Sequence, residues 1–330
     1  MRKVRAGIIG CGGLGKVHVR CASQIEGLDV VAYCDLFEES AAAMCREFGG
    51  EYATTDAERL FSDDSLDAIY VTTQHDTHAE FCVRALDAGK YVMVEKPLAL
   101  TVSDCLRVQD AVRRNGSKLM TAFKMRYFEL LREAKKLIPQ PIIVTMQMMD
   151  NRWADGRWAN DPIKGGGNVL SQGVHSCDIL RYVAGGNPIE VFAVGGNYYQ
   201  QTKVVDNVTA VFRFENEVSA SWVQGDCHCP PLPSKFFMQL FSENKSITLS
   251  DRLTTLTYCE AGKEPVVLKG SETGFLEENI AFYECVANGT APAIDHVDGL
   301  YATLMVLQAF ESLKSGKPEP IRSLVERYGV

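Results

Sequence analysis

The sequence predicts a two-part chain, a doubly wound parallel α/β domain followed by an α+β domain built on an antiparallel or mixed sheet. Three observations carry this expectation. At 330 residues the chain is about twice the usual size of one domain, roughly 150 residues. Its first 120 residues alternate short β-rich runs with longer runs of helical period, the mark of parallel βαβ units. Beyond residue 140 long β-rich runs succeed one another with a single early helical interruption, which favours antiparallel or mixed pairing with the helix packed on one face.

Taken in order, the β-rich runs of the first part are 4–9 (VRAGII), 29–34 (DVVAYC), 68–72 (AIYVT), 91–94 (YVMV) and 119–123 (LMTAF). Helical period appears at 13–25, 38–48, 78–88 and 103–115, and again at 128–138. Such a sheet is covered by helices on both faces. In the second part the strands are expected at 142–149, 189–195, 207–214, 218–225, 236–241, 246–249 and 253–258, with a glycine-flanked helix at 169–183. Helices at 276–288 and 299–315 close the chain before a polar tail. The boundary falls between Met120 and Arg126, dividing the chain into 1–122 and 123–330.

Composition narrows the function. Hydrophobic residues at 46% and charged residues at 23% describe an ordinary globular chain rather than a disordered or membrane-spanning one. With 34 basic against 42 acidic residues and a net charge of -8, nucleic acid is not expected as a partner. The pairs Arg113-Arg114 and Lys135-Lys136 read as solvated helix faces. Eleven scattered cysteines do not resemble a secreted disulfide framework, and no membrane partner is expected because no apolar run approaches 18 residues. A reducing cytoplasm is the expected location. Cys227-His228-Cys229 lacks the spacing of a zinc site and reads as a strand end running into Pro230-Pro231, so no metal is expected.

Chemistry enters at VRAGIIGCGGLGKVHV. Gly10, Gly12 and Gly15 hold the G-x-G-x-x-G spacing after a strand and at the mouth of a helix, with Gly13 and Leu14 between them. Gly10 permits the tight turn, Gly12 lets the backbone approach a pyrophosphate, and Gly15 allows close helix packing. Asp35 ends the second strand twenty residues beyond Gly15, where a carboxylate accepts hydrogen bonds from adenosine ribose hydroxyls and repels a 2′-phosphate. NAD is therefore expected in preference to NADP. Glu95-Lys96-Pro97 ends the strand 91–94, so it faces the crevice outside the strand carboxyl ends, where ligands of open α/β sheets bind. A lysine there can donate a hydrogen bond to a substrate hydroxyl, and a nearby positive nicotinamide lowers its pKa toward general-base range.

A third cluster is GGGNVLSQGVHSCD, residues 165–178. Ser171, His175 and Asp178 fall at i, i+4 and i+7, on one helix face. A hydrolase triad is disfavoured, because triads assemble from separate elements. His175 reads either as a proton-transfer group or as a packing histidine at a domain interface.

Together GCGGLGKVH, EKP and GGGNVLSQGVHSCD resemble the glucose-fructose oxidoreductase / inositol dehydrogenase / rhizopine catabolism MocA (Gfo/Idh/MocA) family across nearly the whole chain. The resemblance implies an N-terminal Rossmann domain holding NAD or NADP and a C-terminal domain with an open, mostly antiparallel sheet, helices on one face, that often forms the oligomer interface. It implies Lys96 and His175 as catalytic pair, both touching substrate, with Thr72, Thr73, Glu95 and Lys96 beside the cofactor and a Lys96-Pro97 bond that is often cis. In place of the aspartate many members carry four residues before that histidine, this chain has Ser171, which hydrogen-bonds but holds no charge. In FKMRY, Arg126 is a substrate-contact candidate or a surface-helix residue. Trp158 either stacks on a sugar face or packs in the core.

The function so implied is transfer of a hydride between a CH–OH group of a sugar, inositol or related polyol and NAD, by a homodimer or homotetramer. Two alternatives keep the fold: a glycosidase or lyase acting through transient oxidation, and a non-catalytic sugar and dinucleotide sensor.

Overall fold

The computed structural model describes residues 2–229, 235–271 and 274–327. Contacts group the chain into two units, one of residues up to Lys124 with Phe275–Gly299, the other of Met125–Gly274 with residues from Leu300 on. The 1–122 and 123–330 division expected from the sequence is a cut in chain order, whereas the contact grouping returns a late segment to the first unit.

In the first unit β1 (Val4–Ile9), α1 (Gly13–Ala22), β2 (Leu28–Cys34), α2 (Glu38–Phe48), β3 (Tyr52–Thr54), α3 (Glu58–Phe61), β4 (Ala68–Val71), α4 (His78–Asp87), β5 (Tyr91–Val94), α5 (Val102–Asn115) and β6 (Leu119–Thr121) follow in order. The strands pair in parallel as β3-β2-β1-β4-β5-β6, the Rossmann order with its switch point at β1 and β4. All four residues of β4 are buried, as a strand covered on both faces requires. β3 and α3 escape the sequence reading because three and four residues are too few to show a period. α1 ends at Ala22 rather than at 25, since Ser23 to Ile25 close a turn onto Val19, Cys21 and Ala22.

The second unit begins with α6 (Glu129–Leu137), β7 (Ile143–Asn151), α7 (Gly167–Ala184), β8 (Pro188–Gly196), β9 (Asn207–Phe214), β10 (Ser219–His228), β11 (Phe237–Phe241), β12 (Lys245–Ser250), β13 (Thr255–Glu260) and β14 (Val266–Lys269). After α8 (Phe275–Asn288) and α9 (His296–Ser315) come β15 (Glu319–Pro320) and α10 (Arg322–Arg327). Nine strands form one open sheet, β14-β13-β12-β11-β7-β10-β9-β8-β15. Only β7 with β10 is parallel, so the sheet is mostly antiparallel, as expected. β13 starts at Thr255 rather than at 253, because Asp251, Arg252 and Leu253 take left-handed backbone with φ of 51, 61 and 69°. Burial of Leu253 compensates that strain.

Alternation sets the inner face of this sheet. Ala210, Phe212 and Phe214 of β9 and Ala220 and Trp222 of β10 are buried, while Thr209, Val211 and Arg213 are exposed, the period of two that a one-sided sheet needs. α7 lies against the inner face at Gly173, where an added Cβ would come within 2.8 Å of the Trp222 ring. The indole Nε1 donates to Ser176 Oγ at 2.8 Å. Pro230-Pro231 lies outside the described residues. Among the described residues no disulfide joins the eleven cysteines, no group of His, Cys, Asp and Glu could hold a metal ion, and no helix is long and apolar enough to cross a membrane.

In the first unit α8 packs on α1, and Tyr283 Oη donates to the Arg2 carbonyl at 3.2 Å. This packing buries Glu278 completely, at 0% exposure, with neither carboxyl oxygen hydrogen-bonded among the described residues. Burial, with Glu95 nearby, pushes Glu278 well above the usual carboxylate range against the opposing pull of Lys124 and Lys96. A carboxyl with a raised folded pKa keeps a proton that the unfolded chain releases near pH 4.3, so its contribution to stability falls as pH rises from there through the folded value. Glu278→Gln cannot ionise. Its melting temperature should exceed that of the wild type at pH 8, and the gap should shrink toward pH 5. A gap independent of pH in paired thermal scans would show that Glu278 is ionised in the folded protein.

Candidate active site

The loop between β1 and α1 is shaped by contact with β4. Gly10 has φ of 101°, in the left-handed region that favours glycine, and a Cβ there would meet the Thr72 carbonyl at 2.6 Å. A Cβ on Gly15 would meet the Gly10 carbonyl at 2.1 Å, so both glycines are required by the backbone itself. Thr72 Oγ1 locks the turn by donating to the Gly10 carbonyl at 2.6 Å. Gly12 and Gly13 have nothing within 4 Å of an added Cβ, and no side chain caps α1 at Gly12. The open, uncapped helix start offers amide donors and the positive dipole end to an anionic group. Leu14 is exposed beside it.

Asp35 stands at the end of β2 with Oδ2 accepting from the Cys11 amide at 2.7 Å and Oδ1 from the Phe37 amide at 2.9 Å. These bonds orient the carboxylate and leave acceptor lone pairs for ribose hydroxyls. The glycine cradle, the bare helix start and Asp35 fit a dinucleotide, which Gly10, Gly12, Gly13, Leu14, Gly15 and Asp35 could hold. Burial, with Asp35 beside it, pushes the thiol of Cys11, in the same loop, up to about 12.

β5 delivers the next group. Glu95 and Lys96 are buried, Lys96 at 7% exposure, and the Lys96-Pro97 bond is cis. Glu95 Oε1 meets His18 Nε2 of α1 at 3.0 Å, and its Oε2 accepts from the Lys96 amide at 3.2 Å. Asn279 of α8 presents Nδ2 both to His18 Nδ1 at 3.1 Å and to the Phe275 carbonyl at 2.7 Å. Because the carbonyl can only accept, that amide must donate to Nδ1, so the ring proton lies on Nε2 and points at Glu95. Burial opposes ionisation of Glu95, but the His18 hydrogen bond, with His18, Lys96 and His78, holds it below the usual range. Of the two buried glutamates, Glu95 carries the charge and Glu278 the proton. Thr73, after β4, shares a hydrogen bond with Thr77 between their Oγ1 atoms at 2.7 Å. His78 links this loop to the Lys-Pro turn through the Pro97 carbonyl at 2.7 Å and the Thr73 carbonyl at 3.2 Å.

In the second unit α7 carries Ser171 and His175, both buried. Asp178, one turn further, is no member of a triad with them. Both its oxygens accept from Arg126, at 2.6 and 2.8 Å, and the guanidinium also lies 4.9 Å from the Tyr182 ring. This bidentate, nearly dry pair anchors the turn 124–127 to α7, so the Arg126 charge is neutralised by the protein. Trp158 sits on a short turn at 39% exposure, whereas Trp153 lines a cavity with Gln172 of α7.

Sequence reasoning overlooked His18, Asn279, Glu278 and Trp153. His18 had one signal, its place three residues past Gly15 on α1, but its partner Glu95 lies 77 positions away.

The family model described as oxidoreductase family, NAD-binding Rossmann fold, matches residues 4–123, and the GFO/IDH/MocA C-terminal domain matches residues 133–231. Myo-inositol 2-dehydrogenase of Thermotoga maritima is 27% identical, over 98% of this chain and 100% of its own. Levoglucosan dehydrogenase, solved with NADH and levoglucosan, superposes with a TM-score of 0.88 at 21% identity, over 97% of this chain and 100% of that one. Aldose-aldose oxidoreductase from Caulobacter crescentus, solved with glycerol, has a TM-score of 0.86 at 21% identity, with coverage of 97% and 100%. The two structural likenesses speak for the fold; with both of its domains matched, the chain belongs to the GFO/IDH/MocA family of NAD-binding oxidoreductases.

Proposed function

We propose that this protein oxidises a CH–OH group of a sugar, inositol or related polyol, with Lys96 and His175 handling the hydroxyl proton. The observation that carries this reading is the buried Lys96 at the carboxyl end of β5, its main chain held by the ionised Glu95. NAD, when bound, supplies the hydride-accepting ring. Lys96 accepts a hydrogen bond from the substrate hydroxyl and takes up its proton, and His175 is the second proton-transfer group. Ser171 offers a hydrogen bond to a sugar hydroxyl, Arg126 and Trp158 contribute to substrate binding, and Thr72, Thr73 and Glu95 frame the cofactor. The names of myo-inositol 2-dehydrogenase and levoglucosan dehydrogenase support this substrate class. A reducing cytoplasm suits a chain whose eleven cysteines form no disulfide.

General acid-base catalysis contributes typically about 10² to 10⁴-fold, whereas uniform binding contacts move KM. Lys96→Met should therefore lower kcat by at least about a hundredfold with NAD affinity nearly intact, and His175→Ala should fall in the same range. Ser171→Ala should cost much less. Absorbance at 340 nm over a panel of polyols and sugars reads the rates, and net NADH separates dehydrogenation from cleavage by transient oxidation. Loss of turnover in Ser171→Ala with retention in Lys96→Met would overturn the assignment.

Asp35 leads to a second expectation. NAD should bind at least about tenfold tighter than NADP, about 1.4 kcal/mol, and Asp35→Ser should narrow the gap. Equal affinities in calorimetry of the wild type speak against it.

The same reading includes a homodimer or homotetramer built on the outer sheet face. Phe192, Val194 and Val211 are exposed there beside the Arg213–Glu190 ion pair at 3.0 Å, a mixed surface suited to a partner subunit. Light scattering at micromolar concentration should give two or four chains; a monomer contradicts the assembly and leaves the chemistry standing.

A further inference from the structure

The cavity lined by Trp153 and Gln172 has a volume of about 430 Å³ and is walled as well by Asp150, Arg152, Arg157 and Lys235. Its charges can be accounted for one by one. Asp150 Oδ1 takes Lys235 Nζ and the Asn151 amide, both at 3.0 Å. Its Oδ2 takes Trp153 Nε1 at 3.2 Å and Asn168 Nδ2 at 3.3 Å. That carboxylate is neutralised and its acceptor sites are occupied. Arg152 is paired with Asp155 at 3.0 Å. Arg157 differs: its guanidinium lies 4.1 Å from the centre of the Trp153 ring, and among the described residues no carboxylate pairs with it. Stacking on the indole supports the guanidinium while leaving its edge donors available.

The cavity thus retains one uncompensated positive charge in a chain of net charge -8, together with the Gln172 amide. A donor-rich wall of this kind suits a group that only accepts. One guanidinium fork matches one carboxylate by two parallel bonds, whereas a phosphate dianion would leave a charge unanswered. Gln172 follows Ser171 directly and lies three residues before His175, about 60° around α7 and about 4.5 Å along it. An anion held there therefore sits beside the helix segment proposed to handle the hydroxyl proton.

We propose that this cavity is a carboxylate subsite and that the substrate is a sugar acid, an aldonate or uronate, bound by Arg157 with Gln172. The assignment rests on the CH–OH oxidation proposed above and names its substrate class.

The test pairs D-gluconate, D-glucuronate and D-galacturonate with D-glucose, myo-inositol and D-glucose 6-phosphate, using wild type, Arg157→Gln and Arg157→Lys. Each is measured by NADH formation and, independently of turnover, by calorimetric binding to the NAD-loaded protein. At least one sugar acid should bind at least about tenfold tighter than the neutral sugars. Arg157→Gln should remove that preference through KM and Kd, with kcat changed less than about threefold, and Arg157→Lys should restore part of it. Neutral compounds should be affected less than about twofold. Binding of no sugar acid, acid binding indifferent to Arg157→Gln, or preference for the phosphate overturns the subsite. Oxidation of neutral polyols without such a preference overturns it while leaving the dehydrogenase reading intact. Arg157-dependent binding of acids with no NADH from any compound upholds the subsite and defeats the dehydrogenase reading.

Discussion

A charged carboxylate in a dry interior is tolerable only when its hydrogen bonds are supplied, and Glu95 imposes that requirement on the first unit. His18, the Lys96 amide and, through His18, Asn279 answer it. To do so α1 must lie over the end of β5, α8 must return to α1, and the Lys96 main chain must sit at the carboxyl end of the sheet. Removing any one partner would leave a buried acceptor unsatisfied, at about 1–3 kcal/mol or more. The Asn279–His18 bond is one of the ties that hold 275–299 to the first unit. Without α8, His18 would lose the donor that sets its tautomer, and Glu95 would lose the ring proton directed at it.

The pairing of Glu95 with Glu278 shows how one core holds two carboxyl groups. Like charges in a low dielectric repel strongly, so one group ionises and the other keeps its proton. Hydrogen bonds decide which. Glu95 has them and Glu278 has none among the described residues. The arrangement concentrates one negative charge beside the Lys96 main chain.

The second unit reaches a comparable rigidity by packing. α7 is buried along nearly its whole length, admitted by the small residues Gly173 and Ser176 under Trp222. A helix so enclosed cannot shift without opening the inner face of the sheet. The Arg126–Asp178 pair adds a directional tie at its middle. Ser171, Gln172 and His175 are therefore presented from a fixed support, which suits groups that must meet a substrate in one orientation.

What the sequence determined by itself is what has a short-range signature. The βαβ alternation, the successive strands of the second half, the glycine spacing of Gly10, Gly12 and Gly15, and the position of Asp35 and Lys96 at strand ends all follow from periods and motifs a few residues long. The short elements β3, α3, β14 and β15 left no such trace, and the left-handed turn at 251–253 carries no glycine to announce it. Tertiary structure alone decided the rest. Glu95 found His18 77 positions away, His18 found Asn279 261 positions away, and Arg126 found Asp178 52 positions away. It engaged Asp178 in an ion pair with Arg126, and it set Trp153 and Arg157, rather than Trp158, in one cavity wall with Gln172. The physical reason is common to all of these. A period reports which face of an element is buried, but the partner that satisfies a buried charge is chosen by where the other elements come to rest.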